Sequence, residues 1–489
     1  MDRYNHRKDL NRVLGMKRST QGGQSLLSLR DSGIPIEDQL SKINSCLSDI
    51  DQLLIPSTIN NLIKHNFILR KEREIISIFE EAQKNALNYL VSHSRLSLLF
   101  YKIKDHRHFN GKHRTELIEL LAVDRLPLLT VVSKVIVLHA LQMMKLPANT
   151  KAEYWVKNII VSTSQDDLSE LKTRTDSKGD HLCMNKLIYE DIRKENVRQD
   201  ILNHIQRQAK TQLAHRKYAI HSRSRIKQSY RKVLSDVDDT LTCSGGSYPS
   251  GIDKRYGKKV VYPGVLAFYR ELDLGTEGRE EWLPSTIGNL VFLSARPHVY
   301  KDITEKRNFA KFERLRAQAG EDGRGGMHTM PSLLAGDISS GTEFIMKNEF
   351  EPLAQKKFEN FQQYMSIYPE FFQIFICDNG QGDVRASELM YNAFPQHLEA
   401  IYVHVVQNKA NTYKYDPDSW KDRKVKPFFF STYPEAALDA VTRVPPLIRL
   451  SGLQRICQDA ISDFYMIQTK NWQSQKQKYD RRDELNQVS

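Results

Sequence analysis

The segment 232–246 (KVLSDVDDTLTCSGG) places three carboxylates, Asp236, Asp238 and Asp239, within four residues at the end of a short apolar run. Like charges this close raise one another's pKa and repel unless a cation or a shared proton offsets them, and a metal ion is the natural remedy. Alternation along an extended chain sends Asp236 and Asp238 to the same side, at the carboxyl edge of a sheet, where ligands of open α/β folds bind. One of the pair can then attack while the other moves protons. A second group, His106, His108 and His113 in KDHRHFNGKHR, has no nearby thiolate and no clean helical pair, so it reads as a polar loop rather than a zinc site. The five cysteines (Cys46, Cys183, Cys243, Cys377, Cys457) are far apart with no CxxC pair. They indicate neither a disulfide framework nor a zinc site, and make a reducing cytosol the expected compartment.

The acids need a scaffold, and the pattern around them supplies one. Short β-type runs at 233–234, 290–293, 371–376 and 400–406 alternate with helical stretches at 264–272 and 355–367. This alternation predicts a parallel, doubly wound sheet of the Rossmann-like α/β class. Upstream the period is helical: Leu40, Ile43, Leu47, Ile50 and Leu54 share a face, and Ile75, Ile78, Phe79, Ala82, Ala86, Leu87 and Leu90 repeat the spacing. The apolar stretch 126–146 has the length of a membrane span but contains Pro127, Lys134, His139 and Lys145, so it is read as a buried helix. A cluster of Ser, Thr, Asp and Gly at 162–185 reads as a break between helices. The resulting organisation is a mobile polar arm at 1–36, a mainly helical N-terminal domain at 37–229, a catalytic α/β domain at 230–445 and a C-terminal helical extension at 446–489. The start, MDRYNHRKDL, has no apolar core of a secretory signal, and Asp2 stands where myristoylation needs glycine.

The D-x-D-D-T string resembles the first motif of the haloacid dehalogenase (HAD) phosphohydrolase superfamily. The other motifs of that superfamily have counterparts in order: Ser294 after Val291-Phe292-Leu293, a lysine at 356 or 357, and the acids Asp378 and Asp383 in CDNGQGD. Over about 230–445 the blocks VLSDVDDTL, VVYPGVLAFYREL, NLVFLSARP, QKKFENFQQYMSIYPEFFQIFICDNGQGD and FFFSTYPEAALDAV look like the catalytic domain of actin-patch-associated phosphatidate phosphatases, with a more distant likeness to lipins. In that family a lysine stands about twelve residues before a proline, and counting back from Pro369 reaches Lys357. Two departures stand out. The family's Gly-Asp-Ser-Gly reads Cys377-Asp378-Asn379-Gly380 here, and Ser294 is followed by Ala-Arg-Pro, closer to lipins.

The resemblance implies a HAD-like fold and an aspartyl-phosphate mechanism. Asp236 would be the nucleophile and Asp238 the general acid and base. Ser294 would hydrogen-bond the phosphoryl oxygens, and Lys357 would neutralise them. Mg2+ would be held by oxygen ligands from Asp236, Asp378 and the carbonyl of Asp238, with Asp383 a ligand or a support. The substrate so implied is phosphatidate. Another phosphomonoester or phosphoprotein as substrate, and a non-catalytic module that binds acidic lipid, are the alternatives.

Composition fits a chain that meets anions at a surface. In 489 residues, 72 Lys and Arg against 59 Asp and Glu give a net charge of +13. A basic collar (Arg216, Lys217, Arg223, Arg225, Lys227, Arg231, Lys232) precedes the first strand, and Lys254, Arg255, Lys258 and Lys259 lie in an insert that suits a flap over substrate. Charge alone does not choose among nucleic acid, phosphorylated substrate and acidic lipid, and the collar also reads as a solvated helix face; together with the resemblance, the expectation is a cytoplasmic protein bound peripherally to an anionic lipid surface. No aromatic-and-basic motif suggests nucleic acid. The glycine-rich segment AGEDGRGGMHTMPSLLAGD lacks the P-loop ending and reads as a mobile surface loop.

Overall fold

The computed structural model describes residues 30–31, 34–53, 61–106, 111–144, 150–177, 182–218, 230–246, 251–276, 279–283, 286–294, 301–334, 350–468, 471–472 and 474–487. The chain divides into two compact units. One holds the described residues of Met16–Thr175 and Lys186–Gln212, and the other those of Asp176–Asn185 and Leu213–Ser489. Most of the arm expected at 1–36 lies outside the described residues. Its end is ordered: Arg30–Asp31 pairs antiparallel with Ile34–Pro35, and a helix begins at Ile36.

The first unit is helical. Helix Ile36–Leu53 buries Ile43, Leu47 and Ile50, as the periodicity predicts. The following apolar stripe is shared by two helices, Asn61–Glu81 and Lys84–His93. The stretch at 126–146 resolves into a turn at Leu126–Leu128 and the buried helix Val131–Met143. That helix is capped by the Thr130 side chain, which accepts from the Ser133 N–H. Lys134 is buried within it, and its Nζ donates to Thr163 Oγ1 at 3.0 Å, so the charge that argued against a membrane span has a polar partner. Among the described residues no helix is long and apolar enough to cross a membrane. The expected break at 162–185 is corrected, because helix Gln165–Asp176 runs through it. Several of its polar residues face inward: Ser169, Thr173 and Thr175 are buried together with Leu168 and Leu171, while Gln165 and Asp167 at its start are exposed. Thr175 returns its hydroxyl to the Leu171 carbonyl at 2.8 Å.

The second unit is α/β. Strands β1 (Arg231–Ser235), β2 (Leu290–Leu293), β3 (Ser332–Leu334), β4 (Phe372–Asp378), β5 (Leu398–His404) and β6 (Pro427–Phe430) form one sheet in the order β3-β2-β1-β4-β5-β6. Every pairing is parallel. Central strands covered on both faces read as near-continuous apolar runs, and β1, β2 and β4 do so. The edge strands escaped the sequence reading: β3 has three residues, and β6 starts with Pro427, which an edge tolerates. Helices α1 (Val265–Leu274), α2 (Lys301–Ala317), α3 (Glu351–Ile367), α4 (Asp383–Ala393) and α5 (Tyr433–Thr442) intersperse the strands or follow them.

Two expectations change here. Helices α6 (Leu450–Met466) and α7 (Gln475–Asn486), predicted as a separate extension, belong to the sheet unit. Ile456 of α6 joins the core of Phe268, Tyr269 and Ala437. Arg270, 2% exposed, reaches Asp459 at 3.2 Å, and Arg455 grips Glu271 with two bonds of 2.9 and 2.8 Å. Gly264 sits at φ +82° where a Cβ would come within 2.9 Å of Ala460, so the α1–α6 approach needs glycine. The segment read as a mobile loop is anchored as well. Met327 and His328 are buried, His328 Nε2 meets Asp273 Oδ2 at 2.9 Å, and residues 332–334 form β3.

Candidate functional site

Strand order reverses between β1 and β4, and the crevice at their carboxyl ends is where this class of sheet presents its ligand site. The site acids stand there. Asp236 follows the last residue of β1, and its N–H donates to the Ile376 carbonyl at 2.9 Å. Asp378 is the last residue of β4, and Asp383 is the first of α4. All three are buried, and one carboxylate oxygen from each lies within 4.8 Å of the others.

Lys357, on α3, enters this cluster from the side. Its Nζ donates to Asp236 Oδ1 at 2.8 Å and to Asp383 Oδ1 at 2.5 Å. Lys356 pairs with Glu359 on the outside of the same helix, so the geometry selects Lys357 from the two candidates. Burial alone would lower the Lys357 pKa, but the charges and hydrogen bonds of Asp236 and Asp383 hold it above its ordinary value. The acids respond in the opposite sense. Burial, then the charges of Asp383 and Asp236, push Asp378 well above the usual carboxylate range. Burial lifts Asp383 to about 6 in spite of the Lys357 charge.

Three carboxylates and one ammonium leave a formal charge of −2 in a buried space. Asp383 Oδ2 is buried and has no hydrogen-bond partner. An all-oxygen donor set with that deficit fits a hard divalent cation such as magnesium.

Asp238 and Ser294 flank the cluster. Because β1 ends at Ser235, Asp236 and Asp238 lie beyond the strand, so a turn rather than the predicted alternation sets their directions. Asp238 is half-buried and outside the carboxylate cluster. Ser294 immediately follows β2, is buried, and donates its N–H to the Leu334 carbonyl at 2.9 Å.

The turn is held by Asp239 and Arg255 in roles the sequence did not show, and by Gly251, Asp253, Tyr262 and His404, which sequence reasoning missed. Asp239, at φ +55°, accepts from the backbone N–H groups of Ser244 (2.7 Å), Ile252 (2.7 Å) and Asp253 (3.0 Å). Gly251 lets that carboxylate approach, since a Cβ there would overlap Asp239 Oδ2. His404, the last residue of β5, donates from Nδ1 to the Asp239 carbonyl at 2.7 Å. That bond fixes the tautomer, leaving Nε2 to accept from Arg255 Nη2 at 2.9 Å. Burial and the Arg255 charge press the His404 pKa down to about 3, so the ring is neutral. Arg255 also forks onto both oxygens of Asp253, and Oδ2 receives the Tyr262 hydroxyl as well at 2.5 Å. Burial would raise the Asp253 pKa, but the Arg255 charge holds it down. The available signal was a histidine at the carboxyl end of a predicted parallel strand.

Arg255 is therefore committed and is not the free headgroup contact expected of it. Lys254, Lys258 and Lys259 remain exposed. Lys254 and Lys476 line a cleft of about 440 Å³ with Ile252, Val406 and Arg481. Ile252 and Val406 also crowd Gly380, whose N–H donates to Asp378 Oδ1 at 2.6 Å, which sets this cleft beside the acidic cluster. Asn379, where the resembled family carries serine, ties the loops after β4 and β5 together. Its Oδ1 accepts from the Val406 N–H at 2.8 Å, and its Nδ2 donates to the Gln407 carbonyl at 3.0 Å.

The basic collar is only partly within view. Positions 219–229, with Arg223, Arg225 and Lys227, lie outside the described residues, as do the side chains of Arg216 and Lys217. Its last two members are not surface charges. Arg231 pairs with Glu399, and Lys232 is buried with Nζ 4.1 Å from the centre of the Tyr368 ring. No family model, no curated protein and no solved structure matches the chain.

Proposed function

We propose that the α/β unit is a HAD-type, magnesium-dependent phosphatase that hydrolyses phosphatidate to diacylglycerol and phosphate. The observation that carries this reading is the clustering of Asp236, Asp378 and Asp383, with Lys357 bonded to the first and last of them, at the point where the strand order reverses. A structural ion pair needs one acid for one base. Three buried acids on one lysine leave a charge deficit, which is costly unless a cation and an anionic substrate use it.

In this mechanism the Asp236 carboxylate attacks phosphorus as the bond to the leaving alkoxide oxygen breaks. Asp238 gives that oxygen its proton, then takes one from the water that attacks the aspartyl-phosphate, releasing phosphate and restoring Asp236. Lys357 holds Oδ1 of Asp236 and leaves Oδ2 to form the new bond. The Ser294 hydroxyl donates to a phosphoryl oxygen. Asp236, Asp378, Asp383 and the Asp238 carbonyl would hold magnesium, which when bound offsets phosphoryl charge.

Phosphatidate as the substrate rests on the resemblance over 230–445 and on Lys254 and Lys476 in the adjoining cleft. Such a chain would meet its lipid by adsorption, as a peripheral protein of the cytoplasmic face. The test is phosphate release from phosphatidate, lysophosphatidate, diacylglycerol pyrophosphate, a phosphopeptide and a nucleotide, with and without magnesium. Magnesium-dependent release from phosphatidate is expected. Release from the nucleotide or phosphopeptide alone would keep the chemistry and reassign the substrate. No release from any member, with magnesium present, would leave a lipid-binding module.

A further inference from the structure

The histidine-rich segment of the helical unit, read from sequence as a polar loop, closes onto a buried acid. Glu72, in the middle of helix Asn61–Glu81, is fully buried. Its Oε2 lies 2.8 Å from His106 Nε2 and 2.8 Å from His113 Nδ1. Its other oxygen, Oε1, accepts from the Lys104 N–H at 3.0 Å, which fixes the carboxylate plane.

The imidazoles are fixed as firmly. The His106 N–H pairs with the Gly111 carbonyl at 2.6 Å. Asp105, just before it, caps the helix that begins at His113 through the Thr115 N–H (3.0 Å) and hydroxyl (2.8 Å). A third ring, His65, stands edge-on with its centroid 4.8 Å from that of His106. It lies seven residues before Glu72, about two turns up the same helix and so on the same face.

We propose that Glu72, His106 and His113 form a zinc site that clamps helix Asn61–Glu81 to the segment after Lys102, with His65 or water as fourth donor. Two imidazoles and a carboxylate make a donor set that zinc takes readily and magnesium does not. Zinc bonds of about 2.0–2.1 Å in tetrahedral array separate neighbouring donors by about 3.3 Å. Each 2.8 Å contact therefore opens by only about half an ångström, within the reach of side-chain rotation. The ion replaces the two N–H···O bonds. Each imidazole ligates through the nitrogen that faces Glu72, with its proton on the other, and Glu72 supplies one negative charge toward the cation. The Lys104 N–H on Oε1 is the kind of outer hydrogen bond that orients a ligating carboxylate.

The test uses the full chain, stripped of metal and kept in excess magnesium so that the acidic centre of the other unit does not compete. Zinc chloride is added, free metal is removed by gel filtration, and bound zinc and the thermal midpoint are measured. One retained equivalent and a raised midpoint are expected for the wild type and for Asp378→Asn. Neither is expected for Glu72→Gln or for the double variant His106→Gln/His113→Gln. Equal retention by these variants, or none by the wild type, overturns the proposal. Cobalt substitution of the wild-type chain gives a readout that does not depend on how the variants fold. Visible bands of tetrahedral intensity without a thiolate charge-transfer band are expected, and a thiolate band would assign the metal to a cysteine site instead.

Discussion

Lys357→Met removes the ammonium at the tip of the side chain and little volume, so its effect is almost wholly electrostatic. In the metal-free protein the lysine, 3% exposed, is the cation shared by Asp236 and Asp383. Removing one partner from a buried pair costs about 3–5 kcal/mol, because the surviving charge is left without compensation. At about 2–4 °C per kcal/mol for a unit of this size, the thermal midpoint should fall by about 10 °C at pH 8.

The pH dependence carries the sharper prediction. The Lys357 pKa is raised, so its own contribution is complete below the ordinary lysine value and constant between pH 5 and 8. The acids supply the slope. Asp383 is raised to about 6, so the native state binds its proton more tightly than the unfolded chain, and stability falls as pH rises from the ordinary carboxylate range to about 6. Without the Lys357 charge that restrains it, this pKa climbs further and the loss extends to higher pH. The variant should therefore lie close to the wild type at pH 5 and well below it at pH 8, with magnesium restoring part of the difference. Circular dichroism melts at the two pH values, in chelator and in magnesium, measure this. A deficit as large at pH 5 as at pH 8 would refute the reasoning.

Four further outcomes follow from the same geometry. Asp236→Asn should abolish phosphate release while the melting curve stays cooperative, and Asp238→Asn should lower turnover by about 10²–10⁴, the usual worth of general acid–base catalysis; full activity in either variant removes the assigned role. Chelation should silence release and magnesium restore it, and activity that survives exhaustive chelation rules out an oxygen-ligated cation. Arg255→Met should destabilise the sheet unit by about 3–5 kcal/mol by stranding the buried Asp253 charge; a urea midpoint unchanged from wild type would show that Asp253 is held by other groups. Replacing Arg223, Arg225 and Lys227 by Gln should weaken binding to phosphatidate-containing vesicles, by at most about 1 kcal/mol per charge, and leave release from a soluble short-chain phosphatidate unchanged; equal vesicle binding assigns the collar no membrane role.

What was legible in the sequence was whatever a local pattern could carry. The apolar runs of β2 and β4 announced buried parallel strands, and an acid at the end of such a run announced the crevice. The three residues of β3 were too short for any period to register. The α6 residues gave a helix but not its partner, because Arg270–Asp459 and Arg455–Glu271 join positions more than 180 apart. Helix Gln165–Asp176 was hidden for a different reason: its Ser and Thr residues favour turns in isolation and were overruled by packing around Leu168 and Leu171. In the site itself, Asp236 was visible because three carboxylates in four residues are conspicuous, and Asp378 and Asp383 because they follow the apolar run of β4 with a short gap. The pairing of His106 and His113 was not, because their common partner, Glu72, lies 34 and 41 residues upstream in a helix with no unusual feature.

The layer behind the acidic cluster explains why its charge deficit persists. Asp253 is cancelled by Arg255, and the link from this pair to the turn after β1 is His404. A charged imidazole there would add a positive charge one residue from Asp238 and weaken the field of the cluster. Burial and the neighbouring guanidinium forbid it, so the ring carries a hydrogen bond to the Asp239 carbonyl without carrying charge. The turn thus gains rigidity from a network that is electrically neutral where it meets the acids. Lys357 is then the only buried cation, among the described residues, that hydrogen-bonds Asp236 and Asp383. On the function proposed above, the two negative charges it leaves over would be met at the crevice by a divalent ion, and a phosphate monoester would find there the ion, Asp236 as nucleophile and Asp238 as proton donor together.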